Sequence, residues 1–424
     1  MLNTFKKALK IPELRKKLVF TFLMLIIFRI GSSIPVPGID VAVVKEAINQ
    51  HGGAFALYDV ISGSALSNFT LFALSVTPYI TSSIIIQLLA VAIPSMEEMQ
   101  KSGEQGRKKL ASWTRYLTVV LALIQATALS VGMFRSALMS DSIISTVAVV
   151  LTLTAGTAFL MWLGEMITEK GVGNGMSMII FFGIVSKFPN DVKQTIALAQ
   201  AGQINFVQIA LFLLVSLLIV VGVIMVLQGV RKIPVQYAKR TVGRSTYGGK
   251  QSHIPLKVNQ AGVIPVIFAS SLLAFPQVLQ LFIKNQAYAQ FVAKWFNGTA
   301  APGIYVFSLL QFILVIAFSY FYISITFNPV EVADNMKNAN GFIPGIRPGK
   351  PTSDFITKSL NRLTFVGAIF LAIIASVPTI LYQATNVPFK FGGTSLLIVV
   401  GVAIETARQL ESQTVMRNYQ GFLK

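Results

Sequence analysis

At 54% hydrophobic and only 12% charged residues in 424, with a mean hydropathy of +0.68, the chain reads as an integral membrane protein. Its charges gather in a few short loops, which excludes a large aqueous domain. The absence of cysteine excludes disulfides, thiolate catalysis and cysteine metal sites, and two distant histidines, His51 and His253, argue against a histidine metal centre.

A membrane-spanning helix needs about 20 predominantly apolar residues. Ten segments qualify in chain order: 18–34, 69–93, 113–134, 143–164, 175–190, 206–228, 260–283, 303–327, 363–383 and 392–411. The first is lean. It does not read as a cleaved signal peptide, because Pro35-Val-Pro-Gly38 follows it where a small-residue cleavage site belongs. Between the first two spans lies 55–66, apolar but too short to cross. The second span carries Thr70, Ser75, Thr77, Thr81, Ser82, Ser83 and Gln87. Lipid offers such groups no hydrogen-bond partners, so this helix is expected to face protein or water for much of its length. A polar span preceded by a half-length helix predicts a pathway through the protein. The fifth span is apolar only over 176–188. The loop before it, Gly171-Val-Gly-Asn-Gly175, lacks the Lys-Ser/Thr of a phosphate cradle and reads as a loop-to-helix start.

Ten spans put both termini on one side. The N-terminus, the C-terminus and every second loop hold 27 of the 35 basic residues, the opposite loops hold 7, and Arg29 lies within the first span. The positive-inside rule then places both termini in the cytoplasm. Most of the net charge of +19 is thereby a topology signal.

Two cytoplasmic loops look organised. In 229–258 two extended arms, 233–239 and 253–258, flank Gly248-Gly249, which suggests a protruding hairpin carrying seven basic residues and no acid. In 328–362 the run GFIPGIRPGKP uses Pro344, Pro348 and Pro351 to restrict the backbone and hold Arg347 near a tip. One reading makes both loops solvated connectors. The sharper one makes them a docking surface for an acidic or RNA partner.

The spans show little polar chemistry. Ion-coupled transporters place acids or histidines near the midplane, whereas the 16 acids here lie almost wholly at helix ends and in loops, with Glu165 and Glu405 near cytoplasmic ends. For Arg29, snorkelling to the outer interface and a structural hydrogen-bonding role both stand open. No nucleophile–base pair stands out, so an intramembrane enzyme is not indicated. A small-solute secondary transporter is the alternative function. The spans offer aliphatic pairs instead: Ile80 with Ile84, and Ile180 with Ile184, each pair on one helix face. Such pairs can line a constriction that gates by dewetting, although most isoleucines in spans face lipid or neighbouring helices.

Residues 76–87 (VTPYITSSIIIQ), 259–271 (NQAGVIPVIFASS), 169–177 (EKGVGNGMS), 392–398 (GGTSLLI) and 34–40 (IPVPGID) closely resemble the SecY family, the channel subunits of the bacterial protein translocase, in a Bacillus-like version. The resemblance runs through essentially the whole chain. It implies an all-α polytopic fold of ten transmembrane helices in two inverted five-helix halves, here about 1–200 and 201–424, around an hourglass pore. It implies a protein-conducting channel, with no enzymatic activity and no cofactor, that passes unfolded polypeptides across the cytoplasmic membrane and releases transmembrane segments sideways.

Carried over by motif, the apolar pore ring is Ile80, Ile84, Ile180, Ile184, Ile267 and Ile398. The half-length segment 55–66, with Phe55, Tyr58, Ile61, Ser62, Gly63 and Leu66, corresponds to the plug. Spans 69–93 and 260–283 form the lateral gate, with Gln87, Asn259 and Gln260 as polar contacts across its seam, and Pro78 and Pro265 permit bending. The partners implied are SecE and SecG subunits, the SecA ATPase, the ribosome, signal sequences and secretory chains, and membrane lipid. Arg347, supported by Arg240 and Arg244, is the expected docking site for SecA and the ribosome.

Overall fold

The computed structural model describes residues 9–51, 59, 62–140, 142–202, 204–237, 240–242, 245–247, 251–280, 283, 285–296, 302–385 and 393–421. In chain order the helices are α1 (Pro12–Gly31), α2 (Val41–His51), α3 (Thr77–Ala92), α4 (Pro94–Lys101), α5 (Glu104–Thr127), α6 (Ile143–Lys170), α7 (Gly175–Gln200), α8 (Phe206–Gln228), α9 (Ile264–Gln280), α10 (Gln286–Trp295), α11 (Gly303–Thr326), α12 (Pro329–Asn338), α13 (Lys350–Thr385) and α14 (Gly393–Gly421). The strands are β1 (Val230–Tyr237), β2 (Arg240–Val242), β3 (Ser245–Tyr247), β4 (Gln251–Lys257) and β5 (Gly341–Phe342).

Ten of the helices fall on the ten predicted spans. Taken singly, α5, α6, α8, α11 and α13 are long and apolar enough to cross a membrane, and α3 with α4 makes a sixth such unit bent by 103°. Pro94 opens α4, where its missing N–H costs nothing, and cannot continue α3. Local signals start the helices as expected. Asn174 caps α7 by accepting from the Ser177 N–H at 3.2 Å, so Gly171–Gly175 is a loop-to-helix start. Asn205 and Gln208 form a reciprocal capping box on α8.

The second predicted span needs correction. Its apolar run predicts one helix over 69–93, but α3 begins only at Thr77, and 62–76 runs in turns. Pro78 suits a helix start, and Ser64, Phe69 and Ser75 adopt left-handed backbone at φ 70°, 42° and 54°. The turn segment is pinned between neighbours. Val36 N–H donates to Phe69 O at 2.9 Å and Leu71 N–H to Ile34 O at 3.0 Å. Gly156 of α6 lets the Leu71 carbonyl come so close that a Cβ there would lie 2.0 Å from it. The expected half-length helix also ends early. Asp59 is helical, but 62–66 is in turns, and Phe55, Tyr58 and Ile61 lie outside the described residues. The shorter helices α2, α4, α10 and α12 have no counterpart among the predicted spans, because each is too short or too polar to register as one.

The basic loop 229–258 is a hairpin, with β1 antiparallel to β4 from Val230↔Lys257 to Gln236↔Gln251. The β2–β3 ladder continues the same register, so the chain reverses between Val242 and Ser245. The expected turn at Gly248-Gly249 falls outside the described residues. Strands β1 and β5 also pair, Gln236 with Phe342 and Tyr237 with Gly341. The two long loops therefore share one sheet. Ile233, Val235 and Leu256 pack with Ile343 and Ile356 beneath it.

The three largest apolar clusters lie among the long helices. One draws on residues between 36 and 153, one on residues between 215 and 404, and the third combines both regions.

Candidate pore, plug and gate

The third cluster is where the isoleucines meet. Ile80 and Ile84 come from α3, Ile180 and Ile184 from α7, Ile267 from α9 and Ile398 from α14, and all six pack in this one cluster. Ile184 is fully buried, and Ile267 is partly buried. Ile80, Ile180, Ile267 and Ile398 also line a cavity of about 40 Å³, whose wall carries the hydroxyl residues Thr77, Ser270, Ser271, Thr394 and Ser395. That volume admits only a few waters. Four helices thus bring these isoleucines into one apolar cluster, with no charged group among the described residues of the adjoining cavity wall.

The turn segment next to the constriction is tied down by polar bonds. Asp59 Oδ2 accepts from Lys187 Nζ of α7 at 2.5 Å, with the two side chains 10% and 9% exposed. Asp59 Oδ1 accepts from the Ser67 N–H at 2.9 Å. Arg29 of α1 donates to Gly63 O at 3.4 Å and to Ser186 Oγ at 3.3 Å, which settles its role as structural hydrogen bonding. Gly63, at φ 66°, presses against the Gly183 carbonyl, 2.8 Å from where a Cβ would stand. Ser62 is buried, its Oγ donating to Asp59 O at 3.2 Å, and Leu66 packs into the cluster between 36 and 153.

Helices α3 and α9, the two sides of the expected seam, pack against one another. Of the three polar residues assigned to it, two bond locally and the third has an unpartnered oxygen. Gln87 Nε2 donates to Ser83 Oγ on its own helix at 3.2 Å. Asn259 is buried, and its Nδ2 donates to Gly262 O at 2.9 Å. That bond closes the turn that enters α9, with Gly262 at φ 65°. Gln260 Oε1 is buried with no partner among the described residues. The seam is accordingly closed by small and aliphatic side chains, with Thr77 and Ile80 facing Val266, Ile267 and Ser270 across the cavity. An unsatisfied buried acceptor costs about 1–3 kcal/mol. Gln260→Leu is therefore expected to raise the thermal unfolding temperature of the purified protein by a few degrees. A lowered temperature would show that Gln260 is satisfied in the native state.

At the other end of the bundle Arg347 is exposed, on a tip set by left-handed Gly345 and Gly349 at φ 81° and 94°. Its carbonyl accepts from Thr352 Oγ1 at 2.8 Å. Arg240 lies on β2, and Arg244 lies outside the described residues. Glu165 pairs with Arg115 at 2.6 Å.

Sequence reasoning missed Asp59 and Lys187. The available signals were an acid inside an otherwise apolar half-length segment and a lysine closing the apolar run 176–188, both on the side poor in basic residues. Nothing in the sequence alone pairs positions 128 apart.

A family model described as SecY matches residues 70–407. Among curated proteins, the "Protein translocase subunit SecY" of Streptomyces scabiei is 48% identical over 444 residues. The protein of the same description from Bacillus subtilis is 48% identical over 437 residues. Both alignments cover all of each chain. Among solved structures, "The structure of a protein conducting channel" superposes with a TM-score of 0.70 at 19% identity, covering 96% of each chain. "Sec61 in the Canine ribosome-channel complex from the endoplasmic reticulum" superposes with 0.66 at 18% identity, again over 96% of each. At such identities these two establish the shared fold.

Proposed function

This chain belongs to the SecY family, and we propose that it forms the protein-conducting channel of a bacterial cytoplasmic membrane, passing unfolded secretory polypeptides across and releasing transmembrane segments into the bilayer. The observation that carries this reading is the convergence of Ile80, Ile84, Ile180, Ile184, Ile267 and Ile398 from four helices into one apolar cluster. A moving polypeptide presents every kind of side chain in turn. A ring of flexible aliphatic groups offers none of them a specific hydrogen bond, so none stalls. The same ring closes on an empty pore and resists ions, because stripping water from an ion in a dry constriction is costly.

The two halves, about 1–200 and 201–424, are supported by the two clusters confined to 36–153 and 215–404. The ring lies in the cluster that bridges them. Separating the halves would widen the ring and part α3 from α9, which supplies the lateral exit. Segment 55–66 is the plug. A solved SecY protein that shares the fold, with a TM-score of 0.68, is described as having a plug domain that stabilises the closed state of its channel and maintains a membrane seal.

The chain is read as a conduit without chemistry of its own, so energy comes from partners or the membrane potential. The charge imbalance between alternate loops supports cytoplasmic termini, and with them a cytoplasmic basic hairpin joined to the Arg347 loop through β1 and β5. That surface suits the SecA motor and the ribosome, while SecE and SecG subunits and signal sequences meet the membrane-embedded faces.

Photocrosslinking tests the channel reading. Probes at positions 80, 84 and 267 are expected to label a stalled secretory chain at all three. Labelling at none, together with uptake of a small solute, would favour a transporter.

A further inference from the structure

Lys187 lies three residues beyond Ile184 and seven beyond Ile180, on the same face of α7 as these two ring residues. From that face its ammonium reaches the buried carboxylate of Asp59 at 2.5 Å. The carboxylate holds more than the lysine. Its other oxygen takes the Ser67 N–H at 2.9 Å, closing the loop 59–67 on itself. Neighbouring Ser186 and the carbonyl of Gly63 share the guanidinium of Arg29, at 3.3 and 3.4 Å. One side chain from α1 and one from α7 thereby grip the segment at two points. The gripped segment leads into backbone strained at Ser64, Phe69 and Ser75, a conformation that non-glycine residues keep only when their surroundings enforce it.

We infer that the Asp59–Lys187 pair, backed by Arg29 on Gly63, is the latch that holds the plug in its closed seat, and that wetting of the pore releases it. The inference rests on the plug reading given above. In the closed channel both charges are about nine-tenths buried, where low dielectric makes their attraction strong. A polypeptide that parts Ile180 and Ile184 displaces the helix face that carries Lys187 and admits water to it. Hydration weakens the attraction and solvates both charges separately. The strained turns then relax as the plug departs. The latch is thus tight when the ring is dry and weak when a chain occupies it. It favours the closed state without obstructing an engaged one.

The test uses the channel with its partner subunits in planar bilayers and proteoliposomes. The readouts are resting ion conductance and passage of a preprotein with an impaired signal sequence. Asp59→Asn and Lys187→Met, both close in shape, are each expected to raise the two readouts at least fivefold. Asp59→Asn/Lys187→Met together should do no more than either alone, because the two groups act as one unit. Lys187→Arg, which keeps the charge, should stay within twofold of the parent. Deleting 59–66 serves as the reference for a missing plug. If the deletion leaks and the neutral variants do not, the plug stands and the latch is wrong. If Lys187→Arg leaks as much as Lys187→Met, packing and not charge holds the plug, and the latch is again wrong. If the deletion itself does not leak, the plug reading fails and takes the latch with it.

Discussion

Exchange of all six ring isoleucines for asparagine is expected to raise the resting ion conductance of the reconstituted channel about a hundredfold, equivalent to ~2.7 kcal/mol off the barrier to ion entry. Asparagine keeps the number of side-chain heavy atoms but places amides where the pore now presents methyl groups. The constriction then holds water, and an entering ion exchanges its shell for amide oxygens in place of losing it. The adjoining cavity of about 40 Å³ already bears five hydroxyl-carrying residues on its wall. On the channel reading proposed above, the isoleucines keep a water file from continuing through. Exchange of the six for valine keeps the wall apolar at a smaller volume and should raise conductance far less. Planar-bilayer recordings check both variants, and an asparagine ring as tight as the parent would remove the ring as the seal. Ile184 is fully buried, so Ile184→Asn alone should also lower thermal stability, by about 2–4 kcal/mol.

How far the sequence disclosed this site depends on the distance over which each signal acts. Apolar run length is local, and it placed ten helices. Capping is local too, and Asn174 and Asn205 start α7 and α8 as their neighbours dictate. The second span failed for a physical reason. Hydropathy cannot distinguish a helix from turns buried in protein, and 69–76 is apolar enough for either. What chose turns was the company of α1 and α6: the 34–36 ladder and the gap left by Gly156. The polar groups assigned to the gate show local bonds. Gln87 and Asn259 have partners four and three residues away, and such local partners compete with contacts across a seam. The aliphatic pairs on α3 and α7 were legible from helical periodicity, whereas Ile267 and Ile398 entered only through family likeness. The Asp59–Lys187 bond was invisible because charge pairing across 128 positions is a property of the fold alone.

Arg347→Glu should slow SecA-driven translocation of a preprotein into proteoliposomes at least tenfold, while leaving resting conductance unchanged. The tip that carries this residue is held by local turns and bonds. Two left-handed glycines and the bond from Thr352 fix it, and Ile346 N–H closes onto Ile343 O at 3.0 Å. Ile343 packs with Ile233, Val235 and Leu256 of the hairpin, and Ile346 lies against them. The backbone of Arg347 is therefore presented at a set place beside the basic hairpin, which lowers the entropic cost of docking. Reversing its charge puts a carboxylate into a surface otherwise complementary to acidic groups, and like-charge juxtaposition weakens association by several kcal/mol. Arg347→Lys retains the charge but loses the planar fork, so it should fall between parent and Glu. Raising ionic strength should shrink the gap between parent and Arg347→Glu, because an exposed pair is screened beyond about 10 Å at 0.1 M salt. A variant that translocates at the parent rate at low salt would move the motor's contact elsewhere on the hairpin. Because the Arg347 loop and hairpin share one sheet through β1 and β5, Arg240 on β2 would then be the next position to reverse.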